Sequence, residues 1–493
     1  MSDHSPQASP EMRSIFRNIS PLDHRYYLAN RELFDALGEY LSEDAVVRSC
    51  LRVEVALLEA LIPRAAGGEA ASRLATVVPA ALRAAAAGIE PAEVYAEEEK
   101  THHNIRALVN VLKKRLPPEV RHLVHVGATS VDILDTAHAL RIRDATRRVL
   151  LPLLVGVEQE LLRLVEEEAA TPQIGRTHGQ HAVPITFGFA MAEYVSRLGK
   201  SILEIASRAG DLRGKLAGAV GSYNATSLVA ADPEAFEREV LGSLKIGASE
   251  HSTQLVEPEY LLRLLLEINV AFGVIANLAD DLRHLQRSEI SEVREAFSAT
   301  QVGSSTMPQK RNPWNCENVK SMWKAFAPRV MTFFMDQISE HQRDLTNSAS
   351  QRFVADYLAG FTAAAARMRE VLRELGVDRA RMAGTLGETG DAVLAEPMYI
   401  LLSLAGEPDA HEIVRKLTLQ CEREGLRLLE AARLEAAVWS RLEASMQRAG
   451  LPPAEEFFGN PARYQGIAER KARAIAATYR GKMSVLMEAL RND

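Results

Sequence analysis

Cysteine is scarce in this chain. Cys50, Cys316 and Cys421 are the only three, far apart and without metal-type spacing. That excludes a disulfide framework and fits a reducing compartment, so a cytoplasmic location is expected. The polar stretch 1–18 has no apolar signal core, and no run approaches membrane-spanning length, so no membrane partner is expected. Positive charge is not in excess either. The 58 Lys and Arg against 65 Asp and Glu give a net −7, so nucleic acid is not an expected partner, and an anionic ligand would need local positive charge. Strand-type alternation is nearly absent. There is no phosphate-binding P-loop and no dinucleotide fingerprint, and Gly218-Ala219-Val220-Gly221 is too sparse to count as one. His102 and His103 are adjacent and His411-Glu412 lacks a second histidine, so neither a metal nor an organic cofactor is expected.

What the chain has is helical periodicity. At 493 residues, 47% hydrophobic and 25% charged, it reads as a soluble globular protein of two or three domains. Residues 1–18 are expected to form a disordered tail, 19–124 an N-terminal helical domain, 125–375 a central long-helix bundle, and 376–493 a C-terminal domain of shorter helices. Within the bundle one helix is expected from about Leu134 to Ala169, kinked at Pro152. Others are expected over Phe187 to Ala209, Trp314 to Ile338 and Phe353 to Leu375. From Glu259 onward, Leu261, Leu265, Ile268, Phe272, Ile275, Ala279 and Leu282 recur at alternating four and three, the seam of a packed helix. Helices this long with wide apolar faces usually share a core with other subunits, so an oligomer is expected.

Four polar clusters interrupt the helices, around His103, Thr129-Ser130, His178 and Ser304. The last lies in Gly303-Ser304-Ser305-Thr306-Met307-Pro308-Gln309-Lys310-Arg311-Asn312-Pro313. Asn312-Pro313 reads as a helix N-cap with proline at the first helical position. The free N–H groups of that helix start, with Lys310, would form a site for an anion or for negative charge developing in a reaction. On composition alone, an ordinary Ser-rich loop capping a helix is the simpler reading. A Ser–His–acid hydrolase is conceivable, but Ser304 lacks the nucleophile-elbow pattern.

The Gly303–Pro313 run resembles the signature of the fumarase/aspartase superfamily, and His125–Asp132 and Gly175–Gly188 resemble its two other characteristic regions, in the same order. The chain is most similar to the adenylosuccinate lyase family within it, over roughly residues 19 to 400. Ser20-Pro21-Leu22-Asp23-His24-Arg25-Tyr26, Thr253–Tyr260, Gln342–Ser348 and Leu394-Ala395-Glu396-Pro397 resemble further segments of that family. The resemblance implies an all-α, three-domain fold whose central long-helix bundle tetramerises, with active sites shared between subunits of a homotetramer. The substrate implied is a small nucleotide.

The reaction implied is an anti β-elimination that releases fumarate. A weakly acidic proton leaves the carbon beside a carboxylate, an aci-carboxylate forms, and the C–N bond then breaks. Such chemistry needs a base, positive dipoles around the carboxylate and an acid for the departing nitrogen. By resemblance Ser304 is the base, His178 the general acid and Glu317 the group that orients it, while Lys310 and Asn312 hold the carboxylate. Thr129, Ser130 and Gln254 would contact the fumaryl portion, and Thr177, His103, Ser305 and Met307 would also face substrate. Arg25, Tyr26, Arg343, Ser348 and Arg352 would hold the AMP portion. Taken singly, these residues read as caps, structural histidines and surface cations; their joint occurrence at family spacing reverses that.

Two positions depart from the pattern. Asn104 stands where the family generally has Asp, and Gln309 where it often has His. The elimination machinery is untouched, but the amine half of the substrate stays open between AMP and another group. The alternatives are a sister lyase acting on another N-succinyl compound, an argininosuccinate lyase or carboxymuconate cycloisomerase-like enzyme, and a structural protein derived from such a lyase. Retention of Arg25-Tyr26 and of Arg343, Ser348 and Arg352 speaks against the argininosuccinate lyase and carboxymuconate cycloisomerase-like enzymes, and intact Ser304, His178 and Lys310 against the structural protein.

Overall fold

A computed structural model of the chain describes residues 14–65, 80–297 and 306–492. The chain is predominantly α-helical. It divides into two compact units, one of residues 1–154, 201–273 and 321–366, the other of 155–200, 274–320 and 367–493. Of the expected tail, residues 1–13 lie outside the described residues, and Ile15–Arg17 form a 3-10 turn.

In the first unit the Glu43–Ala65 helix is the centre of an apolar cluster. It buries Val47, Leu51, Leu58 and Ile62 with Ile105, Leu108 and Leu112 of the Asn104–Arg115 helix and Ile133, Ala137 and Leu140 of the Ser130–Ala145 helix. The Glu43–Ala65 helix is buried almost all round, from Val53 to Leu58 without a break, as a helix at the centre of a core must be, and its two neighbours bury residues at helical spacing. Truncating one of these leucines or isoleucines to alanine costs about 2–5 kcal/mol. The Pro91–Thr101 helix ends at His102, in the left-handed region at φ 52°, and His103 starts the next helix. Elsewhere in this unit Phe272 packs on Phe361 with ring centroids 4.9 Å apart, and the Tyr357 hydroxyl donates to the Leu265 carbonyl at 3.3 Å.

In the second unit a two-stranded antiparallel hairpin, β1 (Pro172–Thr177) and β2 (Gln180–Thr186), precedes the Phe187–Gly210 helix. Its anchor is Glu292, which is fully buried. Glu292 accepts from the Arg176 guanidinium at 2.6 and 3.1 Å and from the Gln173 amide at 2.9 Å. A second apolar cluster joins Leu394, Met398, Leu417, Leu442 and Phe458, and the Asp391 carboxylate accepts from the Leu428 and Leu429 amides at 2.9 Å each. Three small two-stranded sheets are present in all among the described residues.

The seam predicted from Leu261 to Leu282 is buried at Leu265, Ile268, Phe272, Ile275, Ala279 and Leu282, and only half-buried at Leu261. Its helix, Glu259–Leu285, corrects the expectation that no run reaches membrane-spanning length. It has the length and hydropathy to cross a membrane, but over half of its most apolar window is buried inside the protein. That is the pattern of a core helix. Around Pro152 the expected kink is a π-helical turn, Thr146–Leu150, between the Ser130–Ala145 and Leu151–Glu167 helices. Proline has no N–H to continue the regular ladder, and the wider turn absorbs the interruption. The single helix expected over Trp314 to Ile338 is instead broken at Pro328 into Trp314–Phe326, a 3-10 turn and Val330–Met335. The C-terminal region is not made only of short helices, because Ala468–Asn492 runs for 25 residues.

Arg176→Ala would leave the Glu292 carboxylate buried without its cation. A destabilisation of about 3 kcal/mol is expected, read as a lower urea midpoint, and the further change Glu292→Gln should recover part of it.

Candidate active site

Thr129 is extended and caps the Ser130–Ala145 helix in a reciprocal capping box with Asp132, whose Oδ2 accepts from the Thr129 amide at 2.8 Å. The other oxygen of Asp132 meets the Lys215 ammonium and the Gly218 amide, the latter at 3.3 Å. Lys215 also donates to the Gly218 carbonyl at 3.1 Å, and its backbone exchanges hydrogen bonds with the Thr136 hydroxyl at 3.0 and 3.1 Å. Asp132, Thr136 and Lys215 are all fully buried. This network fixes the turn from which Thr129 and Ser130 project. His103 reaches the same turn. Its Nδ1 accepts from the Arg106 amide at 3.3 Å, capping the Asn104–Arg115 helix, and its Nε2 lies 3.5 Å from the Ser130 hydroxyl.

Gln254 is brought in by backbone. Gly221 sits at φ +81°, and a Cβ there would lie 1.9 Å from the Ser252 carbonyl oxygen, so only glycine lets the 252–253 strand of chain pass so close. The Val256 amide donates to Asp135 at 2.9 Å, and the Gln254 amide donates to the Gln342 carbonyl at 3.1 Å. The last contact joins Gln254 to the loop carrying Arg343. Arg343 is held at φ 79° with its guanidinium donating to the Gln337 carbonyl at 2.9 Å. A non-glycine residue held there stores strain. Ser348 and Arg352 follow, both exposed, and Arg352 lies within electrostatic reach of Tyr95. Asp356, one turn further along, is pushed up mainly by burial and also feels Asp23, two residues ahead of Arg25. The first unit thus collects His103, Thr129, Ser130, Gln254, Arg343, Ser348, Arg352, Arg25 and Tyr26 of the predicted set.

The second unit carries the others. His178 and Gly179 form the two-residue turn of the hairpin, with φ of 56° and 74°, between the paired residues Thr177 and Gln180. Two positive φ values are what a type I′ turn requires. The hairpin therefore presents Thr177 and His178 at its exposed tip. Its neighbour His181 is held by the Thr389 hydroxyl at 2.8 Å. Lys310 and Glu317 are also exposed, and neither they nor His178 make a side-chain hydrogen bond or ion pair among the described residues. The hydrogen bond expected from Glu317 to His178 is accordingly not made within one chain. Met307 is exposed and Asn312 half-buried, and both are engaged in contacts. Ser304 and Ser305 lie outside the described residues.

The helix start expected at Asn312-Pro313 is corrected. The helix begins at Trp314, and its first free amides already have a partner: Glu295 accepts from Asn315 at 3.1 Å and from Cys316 at 2.9 Å. A carboxylate seated on those N–H groups removes them as an anion site. Sequence reasoning also passed over Lys215, although it lies three residues ahead of the noted Gly218. Among the described residues no three His, Cys, Asp or Glu side chains converge as a metal site would require.

A family described as Lyase matches residues 8–327, and one described as Adenylosuccinate lyase C-terminal matches residues 339–447. The chain belongs to the adenylosuccinate lyase family. The adenylosuccinate lyase of Pyrococcus horikoshii is 32% identical over 422 residues, 84% of this chain and 90% of that protein. That of Archaeoglobus fulgidus is 28% identical over 455 residues, 90% of this chain and 96% of its own length. An N-acetyl-S-(2-succino)cysteine lyase of Enterococcus italicus is 29% identical over 455 residues, 90% of this chain and 93% of its own length. Among solved structures, the 3-carboxy-cis,cis-muconate lactonizing enzyme of Pseudomonas putida superposes with a TM-score of 0.75 at 24% identity, over 94% of this chain and all of that one. This likeness shows a shared all-α fold. The protein is a lyase.

Beside Gln254 the adenylosuccinate lyase fold of this chain leaves a cavity of about 70 Å³ in the first unit, lined by Asp135, His138, Val256, Asp336 and Asn347 among others. Burial there pushes the His138 imidazole down to about 3, and its Nε2 has no hydrogen-bond partner. Burial pushes the Asp135 carboxyl up to about 6, against the opposing pull of the Val256 amide and Lys215. The folded chain therefore holds the Asp135 proton more tightly than the unfolded chain, whose aspartates titrate near about 4. Ionisation of Asp135 thus opposes folding as pH rises from about 4 to about 6. Asp135→Asn keeps an acceptor for Val256 and should raise stability by about 1–2 kcal/mol at pH 8 and not at pH 4. Denaturant midpoints at the two pH values check this.

Proposed function

We propose that this lyase eliminates fumarate from adenylosuccinate to give AMP, and from the succinylated carboxamide ribotide of purine synthesis to give its free carboxamide. The observation that carries the reading is the match of residues 339–447 to the adenylosuccinate lyase C-terminal family, in a chain that keeps every segment the elimination needs. The cations assigned to the nucleotide support it. Arg25 and Arg352 are exposed and without an ion pair among the described residues, as groups kept for a ligand phosphate would be.

In this reading Ser304 removes the proton beside the carboxylate, and Lys310 and Asn312 stabilise the aci-carboxylate that results. His178, oriented by Glu317, protonates the departing nitrogen. Thr129, Ser130, Gln254 and His103 seat the fumaryl portion, with Thr177, Ser305 and Met307 against the substrate. Arg25, Tyr26, Arg343, Ser348 and Arg352 seat the nucleotide. The base and the acid need no metal for this chemistry.

The working molecule in this proposal is a cytoplasmic homotetramer of three-domain subunits divided at 19–124, 125–375 and 376–493, its sites completed by residues of neighbouring subunits. Exposed apolar side chains in the first unit support the assembly: Val270, Met331, Phe334, Met335, Ile338 and Phe353 are each about half exposed or more, as side chains kept for a subunit contact would be. A site completed between subunits also accounts for His178 and Glu317 lacking each other within one chain.

Purified protein mixed with adenylosuccinate should release fumarate, followed by absorbance, and Ser304→Ala should lower turnover by at least about 100-fold. Release by the wild type with loss in the variant supports both substrate and base. No release from adenylosuccinate by a folded tetramer, with release from an S-(2-succino) thioether or another N-succinyl compound, would overturn the nucleotide assignment and leave the elimination standing.

A further inference from the structure

Beneath the turn that carries Thr129 and Ser130 lies a buried charge pair that no reacting group touches. Asp132 sits in the first turn of its helix, where a substrate carboxylate would meet the same dipole. Its negative charge would repel that carboxylate at close range unless cancelled. Lys215 is placed to cancel it, fully buried, with its ammonium on Asp132 Oδ1 and on the Gly218 carbonyl. Two further carboxyls, Asp135 and Glu237, feel the same ammonium. The pair also has a mechanical effect. Thr129 N–H and Gly218 N–H converge on one carboxylate, so the helix start and the Gly218–Gly221 turn, which passes against the chain just before Gln254, are tied through Asp132 and Lys215.

We propose that Lys215 is a positioning and charge-neutralising residue for the fumaryl subsite: by cancelling Asp132 it lets the Thr129–Ser130 turn receive a dicarboxylate. The proposal rests on the reading that Thr129, Ser130 and Gln254 face the fumaryl portion. It assigns Lys215 no contact with substrate and no proton transfer.

Fumarate itself is the probe, because its binding does not depend on the amine half of the substrate. Titration calorimetry on the full-length protein would compare wild type, Lys215→Met, Asp132→Asn and the double variant Lys215→Met/Asp132→Asn. Lys215→Met should weaken fumarate by about tenfold and raise KM more than it lowers kcat. The double variant, which has neither charge, should return to within about threefold of wild type. Asp132→Asn alone, with the lysine left uncancelled, should bind fumarate at least as tightly as the double variant. Should Lys215→Met fail to fold, that last comparison carries the test. Unchanged fumarate affinity in a folded Lys215→Met would overturn the proposal, as would a double variant no better than the single, or an Asp132→Asn weaker than the double. No fumarate binding by the wild type would instead overturn the subsite reading on which it rests.

Discussion

The Lys215 ammonium set against the Asp132 carboxylate is the interaction on which the Thr129–Ser130 turn of the first unit depends. Both groups are withdrawn from water, and desolvating two ions is only repaid when their remaining hydrogen-bonding capacity is used. Here it is used on backbone: Thr129 and Gly218 donate to the carboxylate, and the Gly218 carbonyl accepts from the ammonium. A hydrophobic pair of the same volume would fill the space but could not hold two irregular turns in register. The pair is therefore better understood as a device for shape and local potential than as a source of net stability.

The same solution recurs at several other polar turns among the described residues. Glu292 holds the hairpin through Arg176 and Gln173, Glu295 holds the start of the Trp314–Phe326 helix, and Asp135 holds Val256 beside Gln254. Asp391 does this for the Leu428–Leu434 helix. Glu292 takes side-chain donors and the other three take backbone amides, and each sits on a different part of the chain from the groups it takes. A long-helix fold gains rigid scaffolding cheaply, but its connections need such anchors if side chains on them are to be placed to a fraction of an ångström.

That division explains what could be read from the sequence. The long helices were legible because their apolar residues repeat at helical spacing, as Leu265 to Leu282 does. The clusters around His103, Thr129, His178 and Ser304 were legible as breaks in that repeat and through their likeness to a family. The β1–β2 hairpin was not, because the buried residues of β1 form a run rather than an alternation and Gly175 and Pro184 interrupt the pair. The break at Pro328 was hidden by apolar residues on both sides that keep helical spacing. Anchors were out of reach for a simpler reason. Lys215 and Asp132 are 83 residues apart, and no local pattern marks a lysine as the partner of a carboxylate that the fold alone brings near.

The correction at the helix start after Pro313 has a wider consequence. With Glu295 on the amides of Asn315 and Cys316, the helix dipole there is already answered by a carboxylate. Negative charge developing on a substrate must then be met by side chains rather than by that helix. The chain as a whole is acidic, with a net charge of −7, so a dianionic ligand needs cations that are not spent on neighbours. Many arginines on the helices are spent in this way, in pairs such as Arg163–Glu167, Arg379–Glu168 and Arg415–Glu412. Lys310, Arg25 and Arg352 are not, and all three stand at or beside turns. Interior carboxylates anchoring the turns and turn cations left unpaired are thus two sides of one arrangement. Acidic groups are consumed by hydrogen-bond donors that the fold brings to them, and positive charge is left unpaired at the exposed turns.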